Sequence, residues 1–75
     1  AMIQHRETLR SAQQVFCHTA IYCCNDVINL LTRVQRIDGR DPKGCSTIAN
    51  HLVEIEDQLN VAKAQIHYIR NLYER

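Results

Sequence analysis

The sequence is poor in aromatic residues and in residues that break helices. It contains no Trp, one Phe and three Tyr, and only two Gly and one Pro in 75 residues. The shortage of aromatic side chains argues against a β-sheet core, where aromatic and β-branched residues are enriched. The sequence also lacks the run of about 18 to 20 apolar residues that a transmembrane helix needs. It therefore favours an all-α protein with no membrane span.

Neither an excess of one charge nor a catalytic motif is present. Nine basic residues face eight acidic ones, and a net charge of +1 produces no strong field toward nucleic acid or anionic lipid. The sequence contains no HExxH, no GxSxG and no glycine-rich phosphate loop. We therefore expect a chain that is not an enzyme and that binds no cofactor, and we disfavour nucleic acid as its partner.

The four cysteines do not follow a metal-binding or disulfide pattern. Cys17, Cys23, Cys24 and Cys45 form no CxxC pair, and adjacent helical residues such as Cys23 and Cys24 point about 100° apart, which does not suit tetrahedral zinc. We expect no metal site and reduced thiols, typical of an intracellular protein of the cytoplasm or nucleus. The sequence leaves open whether Cys17 or Cys24 forms an intermolecular disulfide.

All the glycine and proline lies in one short segment, residues 38–44. Gly39 is placed to end a first helix in a left-handed conformation, and Asp41-Pro42 to begin a second, with Ser46 or Thr47 as the alternative start. We predict a single domain over residues 1–75, with helices at about 3–37 and 45–74, a loop at about 38–44, and antiparallel packing. Ala1-Met2 resembles an expression-tag remnant, so we expect an excised domain of a longer protein.

Apolar residues recur at seven-residue intervals in both predicted helices. In the second, one row runs from Ile48 to Ile69 and a second from Leu52 to Ile66, the spacing of a coiled-coil-like helix that packs on one neighbour. In the first, a similar series includes Leu9 and Leu30. The two helices are predicted to meet along an intramolecular seam of Leu9, Phe16, Ala20, Cys23, Val27, Leu30, Val34, Ile48, Leu52, Ile55, Leu59, Ala62, Ile66 and Ile69.

The middle of the first helix carries more apolar residues than one neighbour can cover. These residues lie about 100° to 140° away from the seam and form an outer flank of Cys17, Ile21, Cys24, Ile28 and Leu31. Burial of each side chain is worth about 1 to 3 kcal/mol, so the flank favours a further contact. We expect the hairpin to complete a four-helix bundle by self-association or with a helical partner protein.

The basic residues near the loop form the only notable charge cluster. Arg33, Arg36, Arg40 and Lys43 gather there and predict a basic tip. It would contact an acidic protein or a phosphate, but a hairpin of two long helices does not suit specific DNA reading.

The leading hypothesis is therefore a homodimerising oligomerisation module or scaffold of a larger protein that works by protein-protein interaction. In outline, the predicted hairpin is similar to Rho-effector finger domains, which are antiparallel helical pairs. This resemblance implies the alternative of an effector-type finger that binds a regulatory protein such as a small GTPase. A further alternative is a subunit of a hetero-oligomeric coiled-coil complex. The sequence does not identify the partner or the pathway.

Overall fold

The computed structural model describes the backbone of residues 2–74 and the side chains of residues 6–74. Within that range the chain is all-helical and contains no strand, and its two helices are α1 (Met2–Val34) and α2 (Pro42–Tyr73). This confirms the prediction of an all-α chain with two long helices. The predicted tag remnant at Ala1 lies outside the described residues, as does the side chain of Met2.

Helix α1 ends at Val34, three residues before the predicted end. Its last turn tightens, because the N–H groups of Arg36 and Ile37 donate to the carbonyl oxygens three residues earlier, each at 3.1 Å. No described glycine has a positive φ, so the prediction of a left-handed Gly39 is wrong. The tightened turn satisfies the carbonyl groups that a left-handed glycine would otherwise help to satisfy.

Helix α2 begins at Pro42, three residues before the start at 45 that we predicted. Asp41 has the extended backbone of an N-cap residue, with φ −78° and ψ 128°, and its carbonyl oxygen accepts from the Cys45 N–H at 2.8 Å. Pro42 has no N–H to satisfy and occupies the first helical position, where proline is favoured. Asp41-Pro42 therefore starts the helix, and Ser46 and Thr47 lie inside it.

Contacts between the helices join the half of α1 that lies far from the loop to the half of α2 that lies far from the loop. The rings of Phe16 and Tyr68 lie 5.4 Å apart at 48°, and the Tyr73 hydroxyl donates to Oε1 of Gln13. Near the loop, Gly44 packs against Ile37. The result is a single layer of two helices measuring 61 × 19 × 11 Å, with a radius of gyration of 17.5 Å. A compact chain of this length would have a radius of about 11 Å.

The buried core is a short strip between the helices. Only five described side chains are buried, and none of the described side chains is fully buried. Val27, Leu30 and Ile55 form one cluster, and Val34 packs against it. A single layer cannot enclose side chains from all directions, so the core stays within a narrow stripe of each helix. The five buried residues are Cys23, Val27, Leu30, Ile55 and Ala62.

Candidate interaction surface

Most of the predicted seam does lie between the helices. All five buried residues belong to it, and six further members are half-buried. The half-buried members are Leu9, Phe16, Ala20, Val34, Ile48 and Ile69. The row from Ile48 to Ile69 is thus the part of α2 that faces α1.

The second predicted row of α2 does not lie in the seam, and this part of the prediction is wrong for the hairpin alone. Leu52, Leu59 and Ile66 are 42%, 48% and 54% exposed. The helix is rolled toward the other side of the Ile48 row, which brings Tyr68 onto the ring of Phe16. The sequence pattern does not distinguish between the two apolar rows of α2. The aromatic pair, worth about 0.5 to 1.5 kcal/mol beyond its buried area, favours the rotation of α2 about its axis that brings Tyr68 against Phe16.

A polar row takes the place of the leucines beside the core. His51, Gln58 and Gln65 recur every seven residues on α2 and are all half-buried. The Nδ1 atom of His51 is buried without a hydrogen-bond partner among the described residues. Buried polar groups of this kind cost stability. The hairpin therefore uses a weaker row of α2 for its seam and leaves the stronger row outside.

The outer flank of α1 is exposed, as its angular position indicates. Ile21 and Ile28 are 58% and 59% exposed, Leu31 and Cys24 are exposed, and Cys17 is half-buried. Large aliphatic side chains normally appear singly on a surface, and their clustering marks a contact site. The flank occupies the middle of α1 and has no polar residue at its centre.

The exposed rows of the two helices lie on the same side of the layer. Tyr73 continues the row of Leu59 and Ile66 at seven-residue spacing, and its hydroxyl bonds to Gln13 across the seam. Gln13 precedes Leu31 by eighteen residues, or five helical turns, so it shares the flank's side of α1. The combined surface, called the apolar face below, consists of Cys17, Ile21, Cys24, Ile28 and Leu31 of α1 and Leu52, Leu59, Ile66 and Tyr73 of α2.

The chain exposes more surface than a folded protein of its mass. Its accessible area is 6180 Å² for 8.7 kDa. The usual scaling of area with mass gives about 4,700 Å², so the excess is about 1,400 Å². A standard protein interface covers roughly 800 Å² on each partner. The excess is therefore large enough for an interface as extensive as that of an obligate dimer.

The predicted basic tip is partly neutralised. Arg40 forms an ion pair with Asp38 at 3.1 Å, and its backbone N–H donates to the same carboxylate at 2.9 Å. These hydrogen bonds from the Arg40 side chain and backbone hold the pKa of Asp38 below its ordinary value. Arg33, Arg36 and Lys43 are exposed. The tip therefore offers three cations rather than four, next to a carboxylate.

The cysteines are all free thiols in very different surroundings. Cys23 is buried in the seam, Cys17 is half-buried, and Cys24 and Cys45 are exposed. Across residues 2–74 no group of three or more His, Cys, Asp or Glu side chains is arranged to hold a metal ion. The same part of the chain forms no pocket, and neither helix is long and apolar enough to cross a bilayer.

Comparison with known proteins gives no relative. No protein-family model, curated protein or solved structure matches this chain.

Proposed function

We propose that this chain is an oligomerisation module, in which two copies of an antiparallel helical hairpin stack their apolar faces to form a four-helix bundle. The observation that carries the proposal is the clustering of nine apolar or cysteine side chains on one side of a two-helix layer. In such a layer each helix packs against one neighbouring helix, whereas in a four-helix bundle each helix packs against two. The antiparallel arrangement is supported by the Phe16–Tyr68 and Ile37–Gly44 contacts.

The size of the exposed surface supports a stable association. Covering about 1,400 Å² on each copy would bury nearly 3,000 Å² in total, which is within the range of obligate homodimers. At about 25 cal/mol per Å² of apolar area, the gross gain exceeds the roughly 4 to 15 kcal/mol that association costs. A small domain that buries so little on its own gains its interior by pairing.

The proposed role is structural. The module joins two copies of the protein that carries it, as a scaffold or assembly domain, and it takes part in no reaction. A single layer of helices offers no concave site that excludes water from a substrate. The proposal includes a reducing, intracellular compartment, which is consistent with the free thiols of the four cysteines.

The sedimentation experiment described below also distinguishes two other kinds of partner for the apolar face. A helical pair from a different protein would complete the bundle as a hetero-complex, and a regulatory protein such as a small GTPase would bind one face of a monomeric finger. Both readings require a chain that stays monomeric on its own. Self-association is preferred because the nine side chains of the apolar face lie on one side of the layer, where a second copy offers a face of equal extent.

The experiment is sedimentation of the reduced chain and of two matched variants at micromolar concentration. Ile28→Asp places a charge in the apolar face, whereas Val15→Asp places one at a similarly exposed α1 position, 61% against 59%, on another side of the helix. We expect a dimer of twice 8.7 kDa for the native chain and for Val15→Asp, and a monomer for Ile28→Asp. A monomeric native chain would refute the proposal and favour a partner of another kind.

A further inference from the structure

We propose that the two copies meet about a two-fold axis that passes between their Cys24 side chains. In this arrangement α1 lies on the partner's α1 and α2 on the partner's α2, each pair running in opposite directions. The inference rests on the proposed dimer and adds the location of its axis and the pairing of its helices. It follows from a symmetry in the apolar face.

The α1 part of the apolar face is symmetric about Cys24. Cys17 and Leu31 lie seven residues to either side, and Ile21 and Ile28 lie three and four residues away. A two-fold contact is self-complementary, so a residue on one side of the axis meets its counterpart from the other side. Cys17 then meets the partner's Leu31 and Ile21 meets the partner's Ile28. The small Cys17 is then opposite the large Leu31, the two isoleucines meet each other, and the smallest pair, Cys24 with the partner's Cys24, is at the centre.

The α2 part of the face has the same property about Leu59. Leu52 and Ile66 lie seven residues to either side, and Tyr73, fourteen residues away, is balanced by the exposed Cys45 at the edge of the face. Leu59 would therefore meet the partner's Leu59 on the axis. The contrast with α1 is that here the central pair is large.

The two centres lie at the same level of the hairpin, which a single axis requires. The contacts Phe16–Tyr68 and Ile37–Gly44 fix which α2 residues lie beside which α1 residues. Interpolation between those two contacts places Cys24 beside Leu59. Leu59 is thus the member of the α2 row that lies level with Cys24, and a two-fold axis through Cys24 would pass through it. The other two-fold arrangement, with α1 on the partner's α2, does not require the centres to coincide.

The arrangement places the two Cys24 residues within reach of each other. Helices with small side chains at their contact pack about 8 to 10 Å apart, and each Cα lies about 2.3 Å from its axis. Facing Cα atoms are then about 3.4 to 5.4 Å apart, a range that overlaps the 4.4 to 6.8 Å span of a disulfide. The two Cys17 residues, by contrast, lie fourteen residues apart along the contact, or about 21 Å at 1.5 Å per residue.

The test is cross-linking of variants that retain one surface cysteine. Cys17→Ser with Cys45→Ser leaves Cys24, Cys24→Ser with Cys45→Ser leaves Cys17, and Cys23 stays in both because it is buried in the seam. Diamide is the oxidant: two thiols form one disulfide, and the diazene takes up both protons and both electrons to become the hydrazine. Products are separated on a denaturing, non-reducing gel, and each variant is first sedimented under reducing conditions.

We expect the Cys24 variant to become mostly covalent dimer and the Cys17 variant to stay at least tenfold less cross-linked. A third variant, Leu59→Cys with Cys17, Cys24 and Cys45 replaced by Ser, should also cross-link as a dimer. If reduced variants sediment as dimers but neither Cys24 nor residue 59 cross-links, the axis is wrong and the proposed function stands. If the reduced variants and the native chain sediment as monomers, the proposed function itself fails.

Discussion

The two glycines of the loop region should respond in opposite ways to alanine. At Gly44, inside the first turn of α2, an added Cβ would overlap the carbonyl oxygen of Asp38 and lie 3.0 Å from Cγ2 of Ile37. At Gly39 the added Cβ would meet only Cδ1 of Ile48, at 3.4 Å, which is ordinary van der Waals contact. Neither glycine has a positive φ, so space rather than backbone conformation distinguishes them.

The magnitudes follow from two competing effects. Replacing glycine by alanine at a compatible position stabilises a protein by about 0.4 to 1 kcal/mol, because the unfolded chain loses freedom. At Gly44 this gain is opposed by an overlap with backbone, which cannot rotate away, and overpacking of this kind costs about 1 to 3 kcal/mol. We expect Gly39→Ala to be neutral or stabilising and Gly44→Ala to destabilise by about 1 to 2 kcal/mol.

Thermal unfolding followed by circular dichroism at 222 nm measures both variants against the native chain. For a domain of this size, 1 kcal/mol corresponds to about 4 to 8 °C in Tm. All samples need the same protein concentration, because association shifts Tm. A Gly44→Ala variant as stable as Gly39→Ala would refute the close approach between α2 and the Asp38 carbonyl.

Three further predictions concern charge and packing. Asp38 should titrate below its ordinary pKa in a carboxyl NMR titration, and Arg40→Ala should raise that pKa. Because the pKa of Asp38 is lowered in the folded state, its contribution to stability is present at neutral pH and is lost as the pH falls through that folded-state pKa. Leu30→Ala should destabilise by about 2 to 5 kcal/mol, since Leu30 is 4% exposed, whereas Leu59→Ala should mainly weaken dimerisation in sedimentation. A fluorescently labelled DNA duplex should show no binding at physiological salt to either the native chain or Arg36→Ala.

The division into two helices was predictable because helix breakers are so few. With both glycines and the proline inside residues 38–44, the remaining chain had no other place to turn. The exact ends were not predictable to within three residues, because the tightened turn at Arg36 and Ile37 depends on hydrogen bonds rather than on residue type. The close packing of Gly44 was missed for a related reason, since it depends on where the loop backbone passes.

The position of the seam on α2 was only half predictable. The row containing Ile55 is apolar and continuous, and it lies against α1. Whether its second neighbour is the Leu59 row or the Gln58 row depends on how α2 is rolled, and heptad spacing alone does not fix that angle. The ring contact of Tyr68 with Phe16 was not predictable from the heptad spacing, because it depends on the three-dimensional arrangement of the two helices.

The thin layer described above has a consequence for how the protein responds to its own abundance. Its core side chains are separated from water by little more than one neighbouring side chain, so a lone copy has few interactions that oppose local opening and rapid exchange of its amide protons. If pairing supplies the missing interior, folding and association become a single equilibrium. Dilution would then unfold the domain, and the concentration at which it orders would set the threshold at which the proteins that carry it begin to assemble.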